Sequence, residues 1–204
     1  MDARLQSTIS ATRLDKYLVA SSGDLAAALD FYEFNSRLSE AFYTPLQSLE
    51  ICMRNTIDCQ LLETYGPAWF DDRISPLAAS AQMAIRDARG MIRLPDPIPR
   101  GSLIAELKFS FWVGLLGSGY DASLWRRALY RGFRAGGGRR RADVHGRFNA
   151  LRRFRNRVAH HEPIFHRDPV SVHAEILEAI GWMDAETKMW TQSQSRVPVV
   201  IAAG

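Results

Sequence analysis

From Asp24 to Tyr65 the sequence holds helical periodicity without a break in pattern, a stretch of roughly eleven turns at 3.6 residues per turn. Ser21-Ser22-Gly23-Asp24 punctuates the sequence before the stretch, and Asp24 is placed to cap it. Pro45 predicts a kink or a restart within it, and Gly66-Pro67 predicts its end.

The remaining segments follow the same period. Ser10 to Val19 reads as a first amphipathic helix, and Ser75-Pro76 has the cap-then-proline pattern of a helix start that runs to about Arg93. Leu94-Pro95-Asp96-Pro97-Ile98-Pro99 reads as a stiff connector. Leu103 to Leu116, with Glu106 and Lys108 as its only charges, predicts a core helix, and Asp121 to Arg134 predicts another. Gly136-Gly137-Gly138-Arg139-Arg140-Arg141 reads as a flexible basic loop, followed by a helix from about Ala142 to His161. It is not a phosphate-cradling loop, because no strand precedes it and no Gly-Lys-Ser/Thr follows. Asp168-Pro169 caps a last helix whose core face is Val172, Ile176, Ile180 and Met183. Strand alternation is nearly absent, so the chain reads as all-α. Residues 1–192 form one domain in this reading, with a flexible tail over 193–204. Trp112, Trp125, Trp182 and Trp190 sit in helical, apolar settings and read as core.

Charge is distributed unevenly. The formal net charge is only +4. Between positions 126 and 157, however, Arg126, Arg127, Arg131, Arg134, Arg139, Arg140, Arg141, Arg147, Arg152, Arg153, Arg155 and Arg157 are opposed by Asp143 alone. Such a field attracts polyanions and weakens with salt; the plain alternative is a solvated arginine-rich surface. Cys52 and Cys59 stand seven residues apart in one helical segment, about 10 Å along a face, which is too far for a disulfide. That spacing suits a reduced, cytoplasmic setting. No apolar run approaches the length of a membrane span, so no membrane partner is expected.

The densest chemistry lies in Arg155-Asn156-Arg157-Val158-Ala159-His160-His161-Glu162. Pro163 biases Glu162 away from helix, so the helix should stop at about His160 or His161. Asn156 and His160 share a helical face. Arg155 and His160 lie roughly 140° apart around an ideal helix, so either the arginine reaches around or the last turn loosens.

Arg155 followed by Asn156 and, five residues on, by His160 resembles the R-X4-H motif of the HEPN superfamily. More narrowly, the chain is similar to Abi-like (abortive infection) proteins through Leu14–Leu18, Phe31–Phe42, Leu49–Asn55, Glu106–Trp112 and Arg155–Phe165. The resemblance implies a HEPN-type helical bundle with additional N-terminal helices. It also implies a metal-independent endoribonuclease that needs no cofactor and pairs two R-X4-H helices across a homodimer. RNA would be the substrate, phage defence or a toxin–antitoxin system the setting, and an antitoxin or a phage-derived activator a further partner.

The residues support the same chemistry on their own terms. RNA is cut without a metal when its 2′-hydroxyl is deprotonated and attacks the adjacent phosphate. Histidine, with an ordinary pKa of about 6.5, suits the proton transfer, and an arginine fork suits the charge that grows on the phosphate. His160 is therefore the candidate acid or base, Arg155 the phosphate clamp and Asn156 the group that orients the imidazole or bonds the phosphate. Arg153, Arg157 and His161 are candidate substrate contacts. Glu50, Arg54 and Asn55, in an apolar helical setting, and Glu106, in another, are candidates to support the motif helix. A metal set of His160, His161, Glu162 and His166 matches no usual ligand spacing, because adjacent helical histidines diverge by about 100°. Two readings stay open against the enzyme. Arg155 and His160 can simply finish a helix, or the fold can serve as a non-catalytic module that binds RNA or a partner protein.

Overall fold

A computed structural model describes residues 2–71, 76–93 and 98–204 of the chain. The protein is all-α: among the described residues there are ten α-helices and no strand. They are α1 (Asp2–Ile9), α2 (Ala11–Ala20), α3 (Leu25–Tyr65), α4 (Ala79–Met91), α5 (Arg100–Glu106), α6 (Phe109–Gly114), α7 (Arg141–Ala159), α8 (Pro169–Gly181), α9 (Ala185–Gln194) and α10 (Val197–Ala202).

Helix α3 is the axis of the fold. One Asp24 carboxylate oxygen accepts from the N–H groups of Ala26 and Ala27 at 2.9 and 3.2 Å, satisfying donors that have no partner inside the helix. At the other end Gly66, with φ 81°, turns the chain out where a side chain would be strained. Between them α3 runs through Pro45 unbroken, so of the kink or restart expected there the restart does not occur. Leu38, Phe42, Leu49, Met53, Ile57 and Leu61 form one stripe with no exposed surface, and Pro45 is buried within it. Burying six such side chains contributes on the order of 10 kcal/mol, which exceeds the roughly 3 kcal/mol an interior proline costs a helix.

The other helices pack around this stripe. Helices α2, α6, α7, α8, α9 and α10 all touch α3, and α8 also touches α7, α9 and α10. Aromatic rings knit the interior, with Trp69 and Trp112 centred 6.2 Å apart and Phe148 lying 5.6 Å from Phe133 and 6.3 Å from Trp182. A smaller apolar cluster of Leu14, Tyr17 and Ala28 seats α2 on the start of α3.

Four segments depart from the sequence expectation. The apolar run expected as one helix breaks at Leu107-Lys108 into α5 and α6. Its apolar residues cover too much of a helix circumference to bury on one side, and the break lets Glu106 and Lys108 reach water while Leu107 and Phe109 stay buried. The Trp112 indole donates to the Leu107 carbonyl at 3.2 Å and holds the corner. Residues 121–134 form a wide turn at Asp121–Trp125 and a tight 3₁₀ turn at Leu129–Phe133 in place of a helix. There Gly132 sits so close to α3 that a Cβ would lie 2.5 Å from the Thr56 methyl.

The basic loop before α7 is anchored. One Arg139 nitrogen donates to the carbonyls of Phe133, Ala135 and Gly137 at 2.8–3.1 Å, and the guanidinium lies over Trp182 at 4.8 Å. The segment expected as a loose tail instead carries the end of α9 and all of α10, with Val197 fully buried. Helix α1 was not anticipated, and helix α4 begins at Ala79, three residues beyond Pro76. Ser75 and most of the 94–99 connector lie outside the described residues. Trp112, Trp125 and Trp182 are core as expected, but Trp190 is 58% exposed.

Candidate functional site

Helix α7 ends in a turn whose hydrogen bonds define it. The N–H of His161 donates to Val158 O at 3.1 Å and the N–H of Glu162 to Arg157 O at 2.9 Å, with His161 in the left-handed region at φ 56°. This is a Schellman cap, a position that favours glycine, here occupied by histidine. The contact that usually closes such a cap is apolar; here Arg157 Nη1 donates to Glu162 Oε2 at 2.9 Å. His160, the residue before the left-handed one, is exposed, and its N–H donates to Asn156 O.

The chain after the cap is fixed to the N-terminal helices. Ile164 N–H donates to the buried Asn35 Oδ1 at 2.7 Å, and the Phe165 ring lies 5.4 Å from Tyr17 and 5.8 Å from Phe31. Arg13 on α2 donates to His161 O at 3.0 Å, so α2 grips the strained residue itself. Burial pushes the Tyr17 hydroxyl up to about 12, so it stays protonated beneath this loop. His166, just beyond, is held below the ordinary histidine value, first by burial and then by Arg167, Arg157 and Lys16.

Beside this turn lies a cavity of about 1080 Å³. One face of α3, from Tyr32 to Arg54, forms its floor; the end of α1 and Arg13 close one side, and Arg155, Val158, Ala159 and His161 form another. Arg155 Nε stands 3.4 Å from Glu50 Oε2, an ion pair that joins α7 to α3. Arg155 is 41% exposed, so the pair is worth about 0–1 kcal/mol and serves mainly to orient the guanidinium. Glu50 thus reaches across to α7 and not along its own helix to Arg54. Arg54 lines the same cavity, with its Nε buried and no hydrogen-bond partner. Three arginines (13, 54 and 155) and two glutamates (40 and 50) surround the space, and Glu40 is also engaged by Arg196 at 3.2 Å.

The candidate residues therefore divide. Arg155, His161, Glu50 and Arg54 share the cavity, whereas His160 and Asn156 are not on its wall. Arg153 and Asn55 are exposed away from it, and Arg157 is taken up by Glu162. Glu106 belongs to a different hollow, of about 370 Å³, between α4 and the α5–α6 corner. Among the described residues no three His, Cys, Asp or Glu side chains converge as a metal set.

Much of the arginine stripe is structural. Arg141 pairs with Asp121 and donates to Leu116 O, Arg147 pairs with Glu178 of α8, Arg140 pairs with Asp143, and Arg152 donates to Asn149. Arg13 and Asn35 escaped the sequence reading. Asn35 had a signal, a polar residue at the heptad-spaced position between the core residues Ala28 and Phe42, whereas Arg13 had none, because its partner is a backbone carbonyl 148 residues away.

Comparison with protein-family models, curated proteins and solved structures gives no match for this chain.

Proposed function

We propose that the protein is a metal-independent endoribonuclease of HEPN type, built as a homodimer and acting in phage defence or as the toxin of a toxin–antitoxin pair. The observation that carries the reading is Arg155, oriented by Glu50 on the wall of a large cavity immediately before a strained helix end that leaves His160 free in solvent. In one chain His160 does not border the cavity that Arg155 lines. The reading therefore needs a second copy of α7 to bring an imidazole to the phosphate, with each cleft shared between protomers.

In that cleft His160 takes the proton of an RNA 2′-hydroxyl, and the freed oxygen attacks the adjacent phosphorus. The bond from phosphorus to the 5′-oxygen breaks, and the leaving oxygen gains a proton, from the His160 imidazolium just formed or from water. The products are a 2′,3′-cyclic phosphate and a 5′-hydroxyl. Arg155 stabilises the negative charge on the equatorial oxygens of the transition state, and Asn156, one turn before His160, orients the imidazole. No cofactor enters the scheme. An antitoxin or a phage-derived activator fits the role as a regulator of such an enzyme.

One observation favours a second reading. His160 lies outside the cavity, an arrangement that a non-catalytic module binding RNA or a partner protein tolerates. Cleavage of mixed structured and single-stranded RNA in EDTA separates the two. The nuclease reading expects cutting by the wild type that is lost in folded Arg155→Ala and His160→Ala variants. An inactive wild type that binds RNA would favour the module, and cutting that persists in both variants would overturn the assignment of Arg155 and His160.

A further inference from the structure

Arg54 carries a charge whose Nε the packing buries without an acceptor. It lies one turn after Glu50 on α3, where an ion pair along the helix is the simple arrangement. Glu50 reaches to Arg155 instead, 3.4 Å away. Arg54 is left half-buried at the cavity wall, its Nε shielded from water and without an acceptor. Leaving a buried donor unpaired is costly, and more so when the group carries charge. The fold retains this cost beside an open volume of about 1080 Å³ into which a second guanidinium, Arg155, is already oriented.

We infer that Arg54 and Arg155 together form an oxyanion site that holds the phosphate of a nucleotide inside this cavity. Two guanidiniums on neighbouring helices offer forked donors to one tetrahedral group, which a single lysine-like point charge would not do. The rest of the wall suits what the phosphate carries. Tyr43 is 66% exposed on the same face of α3, and Ile51 lies two turns on, so a planar base has an aromatic and an aliphatic surface to cover it. Arg13 adds a third positive charge at the α2 edge, while Glu40 is already paired with Arg196. The phosphate belongs either to a free mononucleotide or to a link in an RNA chain. The inference concerns binding and does not rest on cleavage, although a bound chain would enter the proposed active site by this route.

The test is calorimetric titration of the full-length protein with uridine monophosphate and, separately, with hexadeoxyuridylate, which lacks the 2′-hydroxyls needed for cutting. Wild type, Arg54→Gln and Arg37→Gln are compared; Arg37 is exposed on the same helix, off the cavity, and removes the same charge. The expected result is saturable binding that weakens about tenfold or more in Arg54→Gln, as the loss of hydrogen bonds to a charged group entails, and is unchanged in Arg37→Gln. Without ligand, Arg54→Gln should melt at or above the wild-type temperature, since a half-buried charge with an unsatisfied Nε has been removed, and its melting should respond less to ligand than that of the wild type. Binding of both ligands assigns the site to a free nucleotide's phosphate, and binding of the hexamer alone assigns it to a chain. Absence of wild-type binding, or equal affinity in Arg54→Gln, overturns the inference. The two proposals fail separately. Cutting that depends on His160 with no role for Arg54 leaves only the nuclease, and Arg54-dependent binding without cutting leaves only the phosphate site.

Discussion

His161 holds φ 56° with a full side chain, in a region that costs an ordinary residue roughly 1–2 kcal/mol and that glycine enters freely. Strain of this kind persists where the surroundings impose it, and here Arg13 and the Schellman bonds do so. His161→Gly should therefore keep or raise the unfolding free energy read from urea titration, by up to about 1 kcal/mol after glycine's own entropy is counted, while the β-branched His161→Val should lose more than about 1 kcal/mol. Equal losses in both would mean that the imidazole itself, and not the backbone, matters there. A second residue sets the response to acid. His173 on α8 is buried with its Nε2 unpartnered, and burial holds its pKa below the ordinary value. The unfolded chain then binds the proton first, so stability is complete above the unfolded value of about 6.5 and is lost as pH falls through and below it. Urea midpoints should drop between pH 7 and pH 5.5, and His173→Leu should drop less. An identical drop in the variant would assign the effect to His145 or His166, whose values are lowered as well. Arginine, asparagine and histidine at their spacing were plain in the sequence. The left-handed backbone at His161 was not, because the glycine that usually marks such a cap is absent and histidine's enrichment there is too weak to announce it.

Helix α3 displays the contest between local preference and packing. Its caps, Asp24 and Gly66, were legible because each makes hydrogen bonds within four residues of itself. Pro45 leaves α3 unbroken because its local cost is overruled by burial spread over six turns. Pro45→Ala should gain about 3 kcal/mol of helix propensity and lose about 1.6 kcal/mol for two buried methylenes, a net stabilisation near 1 kcal/mol. Denaturant unfolding checks this, and a clear loss would show that the ring packs better than its methylene count implies. The reverse holds at Leu103–Leu116. The apolar run predicts one core helix, but the charges of Glu106 and Lys108 in its first half need water, and the chain turns a corner at Leu107 to provide it. Residues 121–134 are rich in alanine, leucine and arginine, which favour helix, yet the close seat of Gly132 on Thr56 and the stack of Trp125 on Phe133 at 5.8 Å shape them into turns.

At the scale of the molecule, the question is where Arg155 and His160 meet. Within one chain they do not share a cavity wall, so the shared-cleft scheme makes a definite demand. Mixing Arg155→Ala protomers with His160→Ala protomers should restore up to about half the wild-type activity per mixed dimer, because twofold symmetry leaves one of two composite clefts with both groups. RNA cleavage after mixing and re-equilibration reads this directly, and no recovery despite exchange would place both groups in one protomer's site. The arginine stripe also changed meaning at this scale. As a string it predicts a basic field for polyanions; in three dimensions Arg139 pins the loop before α7, and Arg141 and Arg147 tie α7 to Asp121 and to α8. The sequence by itself determined the all-α class, the capped ends of α3 and α8, and the stopping point of α7, since each depends on period or on bonds between near neighbours. Only the tertiary structure decided that Glu50 would take Arg155 and leave Arg54 unpaired, that α2 would clasp His161, and that the last ten residues would fold. Those outcomes rest on contacts between residues more than a hundred positions apart, whose energies exist only once the helices are packed.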